Sequence, residues 1–465
     1  MRMKDRLEKS IFLMFPLLLL LMLGFSLAVV SPQPSSRADT YLGIQVQNQV
    51  AELTLIWEYN ASPYSAGYPQ VESVAISDDG SYVIAGSYDA NVYFFDRSGF
   101  LWNFTTLRAY RQAVAISENG SYAVCGSMDN HVYLFDKDGN LIWDFASSKN
   151  ILCADISADG RYIVAGGEDT MLYFFSKESS TALWSSPLGG YVWRCKVSGD
   201  GSYVVAGTEA LIDVYDRDGS ELWWCDTDSS VKALAISHDG EYIAAGLANG
   251  TILFFSVDSN SPLWTYTVGG AVCEEAIAMS DDGSYIIVGS RDGKAYLFDK
   301  DGNLLWTHEA GGWVYEVAMS SDGSYIALGT VFASPDRVVV LGKYSNVTLA
   351  TFETAKPGED YSGLVLSLDM SADGRYIVAG TYTGWIYLLE SSLGATTTTT
   401  TVTTVSTVTV TSTTTETVSV TETETETETT TTTTTVEALG TAFYGSVAVI
   451  IVLAIAVLYL LARRS

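Results

Sequence analysis

Residues 276–306 read AIAMSDDGSYIIVGSRDGKAYLFDKDGNLLW, from Ala276 to Trp306. Three apolar runs stop at turn signals: AIAMS at Asp-Asp-Gly, SYIIVGS at Arg-Asp-Gly and KAYLFD at Lys-Asp-Gly-Asn. LLW then opens a fourth run. β-Branched and aromatic runs separated by Asp-Gly predict antiparallel strands joined by tight hairpins.

The unit returns at Val74–Trp102, Val114–Trp143, Asp155–Trp184, Val197–Trp223, Ala235–Trp264 and Val317–Leu341. A last copy, Asp369–Leu389, lacks the fourth strand. The glycine of the first hairpin falls at Gly80, Gly120, Gly160, Gly201, Gly240, Gly283, Gly323 and Gly374, in steps of 40, 40, 41, 39, 43, 40 and 51 residues. Four strands every ~40–45 residues predict a β-propeller, one sheet per blade around a central channel. The seventh copy has Val347-Thr348-Leu349 where others have Leu-Trp, and an orphan fourth strand, Leu53–Trp57, precedes the first copy. The expected fold is therefore all-β: eight four-stranded antiparallel blades, closed by an N-terminal strand that completes the last blade and removes an exposed sheet edge.

The Ser-x-Asp-Gly-x-Tyr turn and the Tyr-Leu-Phe-Asp strand resemble WD-repeat propellers. The Asp-Gly-x-x-Tyr-x-Phe-Asp-x-x-Gly-x-x-Leu-Trp half is similar to the tryptophan-ended repeats of quinoprotein (PQQ-like) propellers. The resemblance covers roughly residues 52–390.

Outside the repeats the composition changes twice. Residues 1–31 combine Arg2, Lys4, Arg6 and Lys9 with the apolar run Ile11–Val30, which reads as a signal peptide or an uncleaved N-terminal anchor. A linker, 32–51, leads to the propeller, 52–392. Residues 393–437 are mostly Thr, with an alternating Thr-Glu run from Thr421 to Glu428. Such a segment has little capacity to form a core and is expected to be a disordered, O-glycosylated stalk. Residues 438–462 contain an uncharged 20-residue run, Ala442–Leu461, expected to span a bilayer as a helix. The tail 463–465 carries Arg463 and Arg464, which place the C-terminus in the cytoplasm and the propeller outside. The whole layout resembles membrane-anchored cell-surface proteins of archaea.

A net charge of −29 without clustered basic residues argues against a nucleic-acid partner. Most acidic residues fall in hairpin turns, where Asp serves turn chemistry. Asp136–Asn140 and Asp299–Asn303 resemble the start of a calcium loop but lack its later ligands, so the hairpin reading stands and no metal site is expected.

Position-by-position comparison separates scaffold from candidate site. Six residues before the serine of each first turn stand Val71, Arg111, Ile151, Val192, Val231, Glu274, Val314 and Val365, a slot expected to be buried between blades. The flanking slots share no chemistry, as expected of the channel mouth, and strand alternation puts both on one side. They hold Tyr110, Tyr191, Trp193, Trp313 and Tyr315, with Tyr361 in the last such loop. These six aromatics are the candidate ligand-binding residues, since aromatic rings give large contact area at low entropy cost; packing within the channel is the alternative. Where other first strands have Ala, Asp155, Lys196 and Asp369 appear. Asp155 and Lys196 share a register on neighbouring strands, and a structural ion pair is expected.

Five cysteines, Cys125, Cys153, Cys195, Cys225 and Cys273, show no metal spacing. Export permits disulfides, and Cys153 and Cys195, on adjacent inner strands, form a conceivable pair, although their registers differ by one. Sequons at Asn60, Asn103, Asn119, Asn249 and Asn346 suit N-glycosylation of an exported chain.

The three histidines, His131, His238 and His308, fall in separate repeats, and no catalytic motif is present. The leading functional expectation is a non-enzymatic surface module, without cofactor, that captures a glycan, peptide or envelope protein. Two alternatives remain: a structural surface-layer component, and a PQQ-dependent dehydrogenase. The quinoprotein resemblance implies a quinone beside calcium in the channel, a catalytic Asp (Asp155 or Asp369) and often a disulfide of adjacent cysteines, a pair this chain lacks.

Overall fold

A computed structural model describes residues 52–61, 70–108, 112–356 and 363–395. They form eight four-stranded antiparallel sheets. Blade 1 runs Val71–Ile76, Tyr82–Ser87, Asn91–Asp96 and Gly99–Thr105 from channel to rim, and blades 2 to 7 repeat that order. Blade 8 takes three strands from the end of the ring, Val365–Met370, Tyr376–Thr381 and Trp385–Ser391. Its outer strand is Leu53–Asn60, paired antiparallel to Trp385–Ser391. The N-terminal strand closes the ring. Among the described residues no helix is long and apolar enough to cross a membrane. Residues 1–31, 396–437 and 438–462, with the expected signal, most of the stalk and the span, lie outside the described residues.

The recurrent turn explains why the serine and glycine keep time along the chain. In blade 1 Ser77 donates its hydroxyl to Asp79 at 2.9 Å and accepts from Tyr82 N at 3.0 Å, while Asp79 also accepts from Ser81 N at 2.8 Å. The same turn recurs around Ser117 to Ser371, with Asn119 in the Asp place of blade 2. Glycine is required twice over. Gly160 has φ +71°, and a Cβ there would stand 2.6 Å from the Tyr122 ring of the preceding blade. Asp136 and Asp299 likewise spend their carboxylates on their own turns, accepting from Asn140 N and Asn303 N at 2.9 Å.

Between blades, tryptophans do the joining. Trp57, Trp102, Trp143, Trp184, Trp223, Trp264 and Trp306 each donate an indole N–H to a carbonyl in the third turn of the next blade, at 2.6–3.0 Å. Each bond contributes about 1 kcal/mol net, and the apolar surface that the indole covers stabilises the joint by more. The core is correspondingly divided, with each apolar cluster lying between neighbouring blades.

At the end of the inner strands the ring closes a second time. Asp78 N donates to Glu118 O, Glu118 N to Ala158 O, and so on through Gly199, His238, Asp281, Ser321 and Ala372, whose N–H returns to Asp78 O. Eight bonds of 2.9–3.1 Å make a closed circle at this end of the channel, here called the floor.

Candidate functional site

The opposite end, the mouth, is where the blades differ. Most inner strands carry a bulge just after the buried valine, as between Val71 and Ser73, Val231 and Ala233, or Val314 and Glu316. The residue after that valine is thus an extra one, and simple alternation does not set its direction. Blade 6 enlarges the bulge. Val272 pairs with Ser290 as Val231 pairs with Leu247, and regular register resumes only at Ile277. Two additional residues are accommodated, with Glu275 at φ +58°. This corrects the expected slot: Val272 is the buried residue of blade 6, and Glu274 belongs to the mouth.

Arg194 of blade 4 answers these acids. Only 5% of it is exposed. Its guanidinium donates to Lys232 O at 2.7 Å and Trp193 O at 2.8 Å, and lies 3.4 Å from Glu274 and 3.8 Å from Glu275. Lys232 Nζ stands 3.7 Å from Glu274. The network therefore runs from blade 4 past blade 5 to blade 6. Beside it, Glu72, Glu274, Glu275, Glu316, Tyr315 and Leu366 line a small acidic pocket. Burial, then the neighbouring Glu275 charge, push the Glu316 carboxyl well above the usual range, against the pull of Arg194 and Lys196.

Deeper in the channel Lys196 Nζ lies 3.8 Å from Asp155 Oδ1, its side chain still 44% open to channel solvent. Asp155 also accepts from Val197 N at 3.0 Å, and Asp369 accepts from Ile76 N at 2.9 Å. Each carboxylate thus staples its inner strand to the next one. Burial raises both, Asp369 to about 6, and Lys196 partly offsets the rise at Asp155.

The expected aromatics divide into separate groups. Tyr191 and Trp193 meet edge to face at 6.0 Å, and Trp193 Nε1 donates to Glu209 at 2.9 Å. Trp313 meets Phe332 at 5.0 Å, with the Arg291 guanidinium 5.1 Å from its ring centre. Tyr315 joins the acidic pocket. Tyr110 and Tyr361 lie outside the described residues. Sequence reading missed Phe332, which is 57% exposed and held at φ +61°, a backbone region costly for an aromatic residue. Its signal was present: Phe332–Asp336 is a long connection where blade 6 needs only Arg291-Asp292-Gly293. Arg194 was missed because its slot was not among those compared.

On the floor, His238 reaches over Gly199, where a Cβ would stand 2.1 Å from its ring, and its Nε2 lies 3.4 Å from Glu118 of blade 2. Burial and the charges of Glu118, Asp281 and Asp369 raise the Asp78 carboxyl to about 7, with His238 acting in the opposite sense. The other histidines lie towards the outer strands: His131 faces Asp144 of its own blade at 3.1 Å, and His308 of blade 6 contacts Asn346 O of blade 7 at 2.9 Å. Of the sequons, Asn103 and Asn249 donate their amide N–H groups nearby, to Asn91 and Asp228, while Asn346 donates across to Thr307 of blade 6.

A quinone–calcium centre does not fit these residues. Among the described residues no group of three or more His, Cys, Asp or Glu is arranged to hold a metal ion. Asp155 and Asp369, the expected acids, are engaged with backbone amides.

Compared with known families, the chain matches the one described as outer membrane protein assembly factor BamB over residues 128–281 and 215–435. It also matches the WD domain, G-beta repeat, over residues 62–96 and 105–136. No curated protein matches the chain.

Proposed function

The chain belongs to the family of the outer membrane protein assembly factor BamB, and from that premise we propose that it is a non-enzymatic binding or scaffold module whose working surface is the mouth of the propeller. The observation that carries this reading is the contrast inside one ring. Turns and floor repeat blade by blade, while the mouth varies: Tyr191 pairs with Trp193, Trp313 with the exposed Phe332, and Tyr315 lines an acidic pocket beside an ion-pair network. Aromatic rings beside charged groups suit recognition of a peptide, glycan or envelope protein. A family named for assembly work supports a scaffold over a catalyst.

In this reading 1–31 directs export and 32–51 leads into the propeller, 52–392. The Thr-rich 393–437 lifts the propeller off the membrane, 438–462 anchors it, and 463–465 stays in the cytoplasm. The sequons at Asn60, Asn103, Asn119, Asn249 and Asn346 are then available to glycosylation. The test is affinity purification of the tagged full chain from cross-linked native envelopes. A parallel chain carries Trp193→Ala, Trp313→Ala and Tyr315→Ala. A partner held by the first and lost by the second supports the mouth. Equal retention moves the site elsewhere, and no specific partner for either sinks the reading.

A further inference from the structure

Neighbouring inner strands are staggered by one residue, and the stagger can be read from three contacts. Asp155 reaches the amide of Val197, one position beyond its equivalent Lys196. Asp369 reaches Ile76, one beyond its equivalent Ala75. Two positions earlier on blade 1, Ser73 Oγ accepts from Val114 N of blade 2 at 3.1 Å. Ser73 of blade 1 is the counterpart of Cys153 in blade 3, and Val114 of blade 2 is the counterpart of Cys195 in blade 4. The one-residue difference in register between the two cysteines is the offset that brings them face to face.

The surroundings agree. Cys153 Sγ lies 3.6 Å from Val192 O, three residues before Cys195. Both cysteines belong to one apolar cluster between blades 3 and 4, at 6% and 4% exposure. Cys153 is near enough to Cys195 to add to the rise that burial causes in its thiol. Cys125 and Cys273 are buried in other blades, and Cys225 sits on the outer strand of blade 4.

We propose that Cys153 and Cys195 are the sites of an inter-blade disulfide, formed while the ring is still open. The two thiols lose two protons and two electrons. A disulfide oxidant, small or protein-borne, takes the electrons and leaves as two thiols after passing through a mixed disulfide with one cysteine. Formation precedes packing because a buried, protonated thiol is a poor nucleophile, and burial raises Cys195 well above the ordinary thiol value. Export would supply an oxidising compartment, but the chemistry needs only the oxidant, so the test stands apart from where the protein resides.

The full chain is reduced, unfolded in urea and refolded with oxidised glutathione. It is then alkylated in denaturant and digested without reduction. One linked peptide pair, Cys153 with Cys195, is expected, lighter than the sum of its free peptides by two hydrogens, with Cys125, Cys225 and Cys273 alkylated. The oxidised chain should unfold at a higher urea midpoint than the reduced one. The same oxidant added to the folded, reduced chain should produce the link far more slowly. Five alkylated cysteines after oxidative refolding, or a different pair, overturn the site. Equal rates from the folded and unfolded chains overturn the order of events. Cys153→Ala should abolish the link, and because the principal measurement uses the unaltered chain, a failure of this variant to fold does not rescue the proposal.

Discussion

The floor and the mouth of this channel are built from the two ends of the same eight strands, yet they obey different rules. On the floor every blade makes the same serine-centred turn and contributes one link to a closed circle of backbone bonds. At the mouth the described side chains change from blade to blade, and blade 6 even changes the length of its strand. Positions that hold the ring together are dictated by neighbours on both sides, so they repeat. Positions that face open solvent are released from that demand, and there the sequence is free to serve a partner.

The hardest way to break this comparison is on the floor. Gly160→Ala should destabilise the chain by about 3 kcal/mol or more, combining a left-handed backbone penalty with overpacking against Tyr122. Urea unfolding checks it, and a neutral result would mean the turn is not the constraint described.

Second in size is a pH effect, also from the floor. Asp78 titrates at about 7 in the folded chain and near 4 when unfolded. The folded state holds the proton more tightly, so this stabilisation is complete below about pH 4 and lost as pH rises through about 7. At the turns, burial pushes Asp79 and Asp200 up, but hydrogen bonds from their serines outweigh it and hold both carboxyls below the ordinary value. Their contribution is present above about pH 4 and lost as pH falls further. Thermal melts should therefore peak near pH ~5, with Asp78 adding about 1–2 kcal/mol there relative to pH 8 after allowing for solvent screening. Asp78→Asn should flatten that slope.

The mouth should answer differently. Trp193→Ala, and separately Tyr315→Ala, should cost about 1 kcal/mol or less in stability while weakening partner retention, since truncation outside a packed core is usually cheap. A loss on the scale of Gly160→Ala would mean these rings are scaffold. Smallest of all, Phe332→Asn should raise stability by about 0.5–1 kcal/mol by relieving the backbone at φ +61°, with partner retention falling. A rise in stability with retention unchanged would remove Phe332 from the site.

How much of this was legible follows the same division. The glycine spacing and the orphan strand Leu53–Trp57 were sufficient for eight blades and their closure, because hairpin and ring geometry act on every copy alike. The 43-residue step from Gly240 to Gly283 announced an expansion without locating it. Counting back from Ser280 therefore set Glu274 in the buried slot that Val272 fills. Strand alternation could not describe the mouth either, because bulges interrupt it. The meeting of Arg194 with Glu274 depends on the widened bulge of blade 6, and the approach of Cys153 to Cys195 on the stagger between blades. No periodicity within one strand carries that information.

The closing strand has a mechanical side. Glu52 and Ser392, at the two ends of the ring, hydrogen-bond to each other, Glu52 N to Ser392 Oγ at 3.0 Å and Ser392 N to Glu52 O at 3.1 Å. The chain therefore enters and leaves the propeller at one point on blade 8. Tension applied between the two ends falls on the antiparallel pair Leu53–Asn60 and Trp385–Ser391. It loads their bonds one after another, as a zipper opens, rather than all together in shear. A pull between the ends would thus peel blade 8 at low force.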